Sequence, residues 1–171
     1  YHNLKRSLPK IVDQIKEICE FHKNDKGIIH TRNNTITEFL SNKLNGSRFL
    51  IREPGVRNEM LLEQHLQNNS PTVLISPSMS HGVDLKDDLA RFQIIIKAPY
   101  LPTKDKRIEK LMNDDFNWYI NKMLCSLIQS CGRGVRSKKD YCVTYILDGA
   151  IVESVVNNRH KLPKYFIDRF L

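Results

Sequence analysis

Apolar residues recur at helical spacing through Leu8, Ile11, Val12, Ile15, Ile18 and Cys19, so the spacing predicts an amphipathic helix early in the chain. Pro9 is expected in its first turn, where a missing N–H costs nothing. The continuous apolar run Gly27-Ile28-Ile29-His30-Thr31 reads as a short buried strand. Asn33 or Asn34 is placed to cap a helix through Ile36, Phe39, Leu40 and Leu44, with Asn45-Gly46 as its stop. Residues 48–52 read as a second strand, broken by Glu53-Pro54-Gly55. Residues 56–66 read as a helix that Asn68-Asn69-Ser70-Pro71 ends. Three further strands are predicted over 72–76, 92–97 and 141–147, the last rich in β-branched and aromatic residues.

Five strands are thus separated mostly by helices, and several are continuously apolar instead of alternating. That pattern belongs to parallel strands covered on both faces, an open α/β sheet. Ligands of such sheets sit beyond the carboxyl ends of the strands. The segments that follow strands are therefore where chemistry is sought.

Composition narrows the function classes. The 171 residues suit one domain over 1–171, large enough to bury about 70% of its unfolded-chain surface. No apolar run approaches the ~20 residues of a membrane helix, so no membrane partner is expected. Cys19, Cys125, Cys131 and Cys142 form no C-x-x-C pair, which argues against a zinc ribbon. They are expected as buried free thiols of a reducing compartment, cytoplasmic or, in a eukaryote, nuclear. The six histidines are scattered, with no metal-ligand spacing. A net charge of +8 fits a polyanionic partner. The chain opens on Tyr1 without an apolar signal core, and is read as a fragment of a longer protein.

Three segments carry candidate chemistry. The first, Ser76-Pro77-Ser78-Met79-Ser80-His81-Gly82-Val83-Asp84-Leu85, offers small hydroxyls, a glycine that admits close backbone approach, and Asp84 as an acceptor for a sugar hydroxyl. An ordinary Ser/Pro loop is the competing reading. The second runs over 114–136. Phe116, Ile120, Met123, Leu124, Leu127 and Ile128 form the stripe of an amphipathic helix capped by Asp114. Gln129, Arg133 and Arg136 follow at spacings of four and three, within roughly 60° of one another if the helix persists to Arg136. One amide and two guanidiniums on one face match the needs of phosphoryl transfer. A basic helix end complementing the macrodipole would use the same charges. Gly132 and Gly134 cost helix propensity, and together with the Gln–Arg–Arg register they favour function. The third segment is His30-Thr31-Arg32-Asn33, a strand-to-helix turn suited to phosphates or to a plain N-cap.

In this order the segments resemble the second motor domain of a superfamily-two helicase. Gly27-Ile28-Ile29-His30-Thr31 resembles the fourth helicase motif and Ser80-His81-Gly82-Val83-Asp84-Leu85 the fifth. Gln129-Ser130-Cys131-Gly132-Arg133-Gly134-Val135-Arg136 matches the sixth, Q-x-x-G-R-x-x-R. More narrowly the chain is similar to the DinG/XPD-type DNA-repair helicases. This rests on Val83-Asp84-Leu85 leading into a strand and then Lys97-Ala98-Pro99-Tyr100-Leu101-Pro102. It rests also on Arg136-Ser137-Lys138-Lys139-Asp140-Tyr141 before the last strand and on the closing Leu162-Pro163-Lys164-Tyr165-Phe166.

The resemblance implies a RecA-like fold, an open, mainly parallel sheet with helices on both faces. Such a domain works beside an N-terminal RecA-like domain of the same protein, which carries the phosphate loop and the Mg²⁺-binding acidic motif. Neither motif occurs in this sequence, so the chain is expected to be half of an ATP site. By resemblance, Gln129, Arg133 and Arg136 are the catalytic residues facing the γ-phosphate, and Gly82 and Asp84 line the same ATP cleft. His30, Thr31, Ser78 and Ser80 approach single-stranded DNA. ATP and Mg²⁺ are the implied cofactors, with no iron–sulfur cluster and no metal in this part. His81 departs from the Glu of many relatives and leaves the fine role of the fifth motif open. Two other readings remain. One is a non-catalytic nucleic-acid-binding or assembly domain with a RecA-like fold; the other is the second motor domain of a DNA translocase that does not unwind.

Overall fold

The computed structural model describes residues 2–51, 57–77, 87–132 and 140–169. Five parallel strands, β1 (Gly27–His30), β2 (Phe49–Ile51), β3 (Val73–Ser76), β4 (Phe92–Ile95) and β5 (Val143–Ile146), pair in the order β2-β3-β1-β4-β5. All five predicted strands are present, each trimmed at its ends, and the fold is the open α/β sheet that the apolar runs imply. The chain starts in the centre, fills one side with β2 and β3, then crosses β1 to reach β4. The fifth-motif residues belong to that crossing.

Helices α1 (His2–Phe21) and α2 (Asn34–Ser41) cover one face of the sheet. Leu8, Ile11, Val12, Ile15 and Cys19 of α1 and Ile36 and Leu40 of α2 meet Ile29, Val73, Ile75, Phe92 and Ile94 there. Pro9 lies inside α1, not in its first turn. A proline interior to a helix costs about 3 kcal/mol, whereas each buried aliphatic of the stripe contributes about 1.5–3 kcal/mol. The stripe therefore outweighs the lost hydrogen bond. Gly27 has no room for a side chain, because a Cβ there would overlap the Phe92 ring.

Asn33 caps α2, its side chain accepting from the Ile36 N–H at 2.8 Å. The helix ends at Ser41 with Asn42 as C-cap, earlier than the apolar spacing implies. Leu44 still closes a turn onto the Leu40 carbonyl, and the chain then reverses through Gly46 at φ 119°. That angle is open to glycine and strained for other residues.

The opposite face carries two separate apolar clusters. In one, α3 (Asn58–Gln67) places Leu61 against Ile28 and Leu74. In the other, α5 (Phe116–Cys131), α6 (Gly149–Asn157) and the short α7 (Lys164–Ile167) pack Met123, Leu124, Leu127, Ile151, Val155 and Phe166 against Ile95. Helix α4 (Lys106–Asp114), which the strand-centred reading overlooks, has no buried residue and leans on α5. The proposed break at Glu53-Pro54-Gly55 lies outside the described residues.

The amino ends of the strands are closed by side chains that donate to backbone carbonyls. Arg48 reaches the carbonyls of Pro71, Cys19 and His22 at 3.0, 2.7 and 2.5 Å. Lys26 reaches that of His65 at 2.6 Å. His65, fully buried, accepts from the Thr72 hydroxyl at Nδ1 (2.7 Å) and donates from Nε2 to the Leu89 carbonyl (2.8 Å).

Candidate functional site

Strand pleating sets which side chains share the split face. Ser76 and His30 lie side by side near the carboxyl ends of β3 and β1, and Gln93 and Thr144 near the amino ends of β4 and β5. The four form a diagonal polar seam between the two apolar clusters. The His30 Nε2–H donates to the Gln93 side-chain oxygen at 3.2 Å. The Gln93 amide group donates in turn to the Thr144 hydroxyl at 2.8 Å and to the Cys131 carbonyl at 3.4 Å. His30, Ser76 and Gln93 are all buried. A buried polar group costs stability unless its partners are in place, so the seam fixes one arrangement of these strands and of the end of α5.

The turn after β1 is also held by hydrogen bonds. The Thr31 side chain is buried and shares a 2.6 Å hydrogen bond with the Thr37 hydroxyl, which donates onward to the Asn33 carbonyl. The Thr31 N–H donates to the Ser76 carbonyl at 3.2 Å. Arg32 takes φ 66°, a left-handed conformation that costs a non-glycine residue about 1–2 kcal/mol. Its guanidinium is held by the Tyr100 carbonyl at 3.2 Å, and partial burial lowers its pKa below the usual arginine value.

Helix α5 carries the sixth-motif sequence. Its N-cap is Asp115, which accepts from the Trp118 N–H at 3.0 Å, and not Asp114, which closes α4 instead. Its stripe is core over Met123, Leu124 and Leu127, which are buried, with Ile120 and Ile128 half-buried beside them, whereas Phe116 in the first turn is exposed; Gln129 is exposed on the other side. The described helix ends at Cys131 with Gly132 as C-cap, so the assumed continuation to Arg136 falls on residues outside the description. The end of α5 lies over the amino half of the sheet, not beyond its carboxyl ends. Cys131 meets Gln93, the second residue of β4, whereas Tyr119 near the helix start donates to the Leu101 carbonyl past the end of β4. A helix that returns between parallel strands must run against them, which puts its last residues at the strand starts.

Of the sequence-predicted site residues, His30, Thr31 and Gln129 are therefore located. His30 is linked through Gln93 to the end of the helix that bears Gln129, while Thr31 belongs to the α2 side. Ser78, Ser80, Gly82, Asp84, Arg133 and Arg136 lie outside the described residues. Gln93 was missed, although a lone amide inside the run Phe92-Gln93-Ile94-Ile95-Ile96 is a visible signal. Arg91 was missed too. It forks between Asp88 and Asp140, and nothing local in the sequence announces that pairing.

A cavity of about 590 Å³ opens beside the end of α5, lined among others by Cys131, Gly132, Asp140, Cys142, Thr144 and Phe166. Burial pushes the Cys131 thiol up to about 11, against a smaller opposing effect of a Thr144 hydrogen bond. Burial, reinforced by Cys131 and Asp140, pushes Cys142 to about 12. Neither is a thiolate at neutral pH. Cys19 is buried as expected, but Cys125 is exposed. Among the described residues no group of three or more His, Cys, Asp or Glu side chains converges on a cation position. No described helix is long and apolar enough to cross a membrane.

Residues 21–167 match the helicase C-terminal domain family. The chain is similar to the ATP-dependent DNA helicase CHL1 of Candida albicans, 30% identical over 104 residues, covering 50% of this chain and 12% of that protein. It is similar also to the protein of the same name from Debaryomyces hansenii, 31% identical over 93 residues, covering 44% of this chain and 11% of that one. The chain thus spans about an eighth of the length of these relatives. Among solved structures, S. tokodaii Xpd4 superposes with a TM-score of 0.61 at 18% identity, over 94% of this chain and 34% of that one. A structure titled XPD helicase superposes with a TM-score of 0.65 at 17% identity, over 89% and 30%. At such identities the likeness speaks for the fold, and it is the family match across nearly the whole chain that decides. The chain belongs to the helicase C-terminal domain family, and the resemblance to DinG/XPD-type helicases carried by its motifs is borne out.

Proposed function

We propose that the chain is the second motor domain of an ATP-dependent DNA helicase and contributes half of an interdomain ATP site. The observation that carries this reading is the family match over 21–167, which takes in the segments resembling all three motifs. The seam supports it, because it ties the strand bearing His30 to the helix bearing Gln129 through Gln93. On this reading Arg133 and Arg136 place guanidiniums on the γ-phosphate, where charge spreads over the transferring oxygens, and Gln129 orients water or a phosphate oxygen. Gly82 and Asp84 line the same cleft. Mg²⁺ and the remaining phosphates are held, on this reading, by the N-terminal motor domain that the resemblance implies.

Ser78 and Ser80 meet the single-stranded DNA backbone with small hydroxyls. His30 and Thr31 stand on the same track, where their buried, bonded side chains set the turn that follows β1. Closure of the cleft on ATP and its reopening after hydrolysis then move the two domains along the strand.

The test is DNA-stimulated ATP turnover by the full-length protein carrying Arg133→Ala or Arg136→Ala. An arginine finger contributes about 10³–10⁵ in rate, so turnover should fall by roughly 10³ or more with the fold intact by circular dichroism. Wild-type turnover in both variants would overturn the assignment. The salt dependence of DNA binding gives an independent check. The slope of log affinity against log salt should be clearly negative, and a slope near zero would remove phosphates as the partner.

A further inference from the structure

Arg91 precedes β4, and its backbone is fixed in the sheet. Its N–H donates to the Lys26 carbonyl and its carbonyl accepts from the Val143 N–H, each at 2.9 Å. From this anchored position the guanidinium points two ways. Nε and Nη2 donate to Asp88 Oδ1 at 2.9 and 2.6 Å. Nη1 donates to Asp140 Oδ1 at 2.7 Å and to the Tyr141 carbonyl at 3.3 Å. The group also stacks on the Tyr141 ring, 4.6 Å from its centroid. Asp140 Oδ1 accepts in addition from the Tyr141 N–H at 2.9 Å.

The two carboxylates differ in a way that matters. The Asp140 side chain is 0% exposed and the Asp88 side chain 93% exposed. The exposed pair adds direction more than energy. The buried pair is exacting, because removing the arginine takes a cationic, hydrogen-bonded partner from a carboxylate that water cannot reach. Asp88 stands in the 3-10 turn Asp87–Leu89, four positions after Asp84 in the sequence. Asp140 and Tyr141 stand four and five positions after Arg136 in the sequence and lead into β5.

We propose that Arg91 is a positioning residue of the ATP site, a single planar fork that fastens the inner ends of the fifth- and sixth-motif segments to one point at the start of β4. The proposal rests on the function proposed above. Guanidinium geometry is required, because a lysine ammonium is a point charge that cannot bridge Asp88 and Asp140 while stacking on Tyr141. Displacements near 1 Å at groups that align reacting atoms cost up to about 100-fold in rate, so the fastening should be read in turnover more than in binding.

The experiment uses the full-length protein with Arg91→Ala, Arg91→Lys and Asp140→Asn, each first shown to be folded at the assay temperature. Steady-state ATP hydrolysis with saturating single-stranded DNA should show kcat reduced about 10- to 100-fold in Arg91→Ala, with KM for ATP within about twofold. Arg91→Lys should fall between it and wild type. A folded Arg91→Ala with wild-type kcat, or Arg91→Lys equal to wild type, overturns the proposal. Hydrogen exchange on the same proteins reads the fastening without reference to ATP. In Arg91→Ala the amides of 87–91 and 140–143 should exchange faster together while those of β1 stay protected; no change in either segment overturns it. If the wild type itself lacks DNA-stimulated hydrolysis, the functional reading fails by that result, and the exchange data still decide whether Arg91 fastens both ends.

Discussion

The two faces of the sheet are built on different principles. Under α1 and α2 the packing is one apolar cluster, and its polar groups sit at the margins. Thr31 and Thr37 pair at the carboxyl side, while His22 bonds to Asp25 and Tyr145 at the amino side. On the opposite face the apolar residues divide into the α3 cluster and the α5–α6–α7 cluster, with Ser76, His30, Gln93 and Thr144 between them. The first arrangement contributes stability through non-directional apolar burial. The second gives up apolar burial in order to fix how β1, β4 and α5 sit relative to one another. The helix bearing Gln129 lies on the split face, and His30 is part of the seam itself. Positioning requires directional bonds, which apolar contacts do not supply.

Cutting into the continuous face should have the largest effect on stability. Phe92→Ala removes a fully buried ring that stacks on His22 at 4.5 Å and fills the space above Gly27. A loss of about 3–5 kcal/mol is expected in urea unfolding. A loss below about 1 kcal/mol would mean that this face is not the main source of stability.

Gln93→Leu tests the seam. It adds apolar character but takes a partner from the His30 Nε2–H, the Thr144 hydroxyl and the Cys131 carbonyl. Destabilisation by about 1–3 kcal/mol is expected in spite of the greater hydrophobicity. A more stable variant would show that the seam's hydrogen bonds do not hold the face together.

The smallest effect concerns His65. Burial lowers its pKa below 6.5, outweighing the Leu89 hydrogen bond that favours the proton, and Lys26 lowers it further. Between the folded value and 6.5 the unfolded chain binds the proton more readily. This contribution to stability is therefore complete above about pH 6.5 and is lost as the pH falls toward the folded value. Urea midpoints at pH 7.5 and 5.5 should drop more for the wild type than for His65→Gln. Equal drops would show that His65 is not the titrating group.

All five strands were legible because short apolar runs bounded by turn residues have few other uses. The stripe of α5 and the Asn33 cap were legible for the same local reason. Helix α4 was not, because its residues are mostly charged and none is buried, so no apolar run announced it. Pro9 falls inside α1 and not in its first turn because the stripe begins at Leu8 while the helix begins at His2. Gln129 was read correctly as opposite the apolar stripe. Its position over the strand starts was not read, because that depends on which way α5 returns across the sheet.

The sequence by itself determined the alternation of strands and helices, the apolar stripes and the motif order that points to a helicase domain. Each of these is carried by neighbours within a few turns of chain. Only the tertiary structure decided the strand order, the split between the two faces, and the pairing of Arg91 with Asp140 and of His30 with Gln93. Those partners lie 49 and 63 residues apart in sequence. Which polar group meets which is settled only when strand register and helix direction bring them within hydrogen-bond reach.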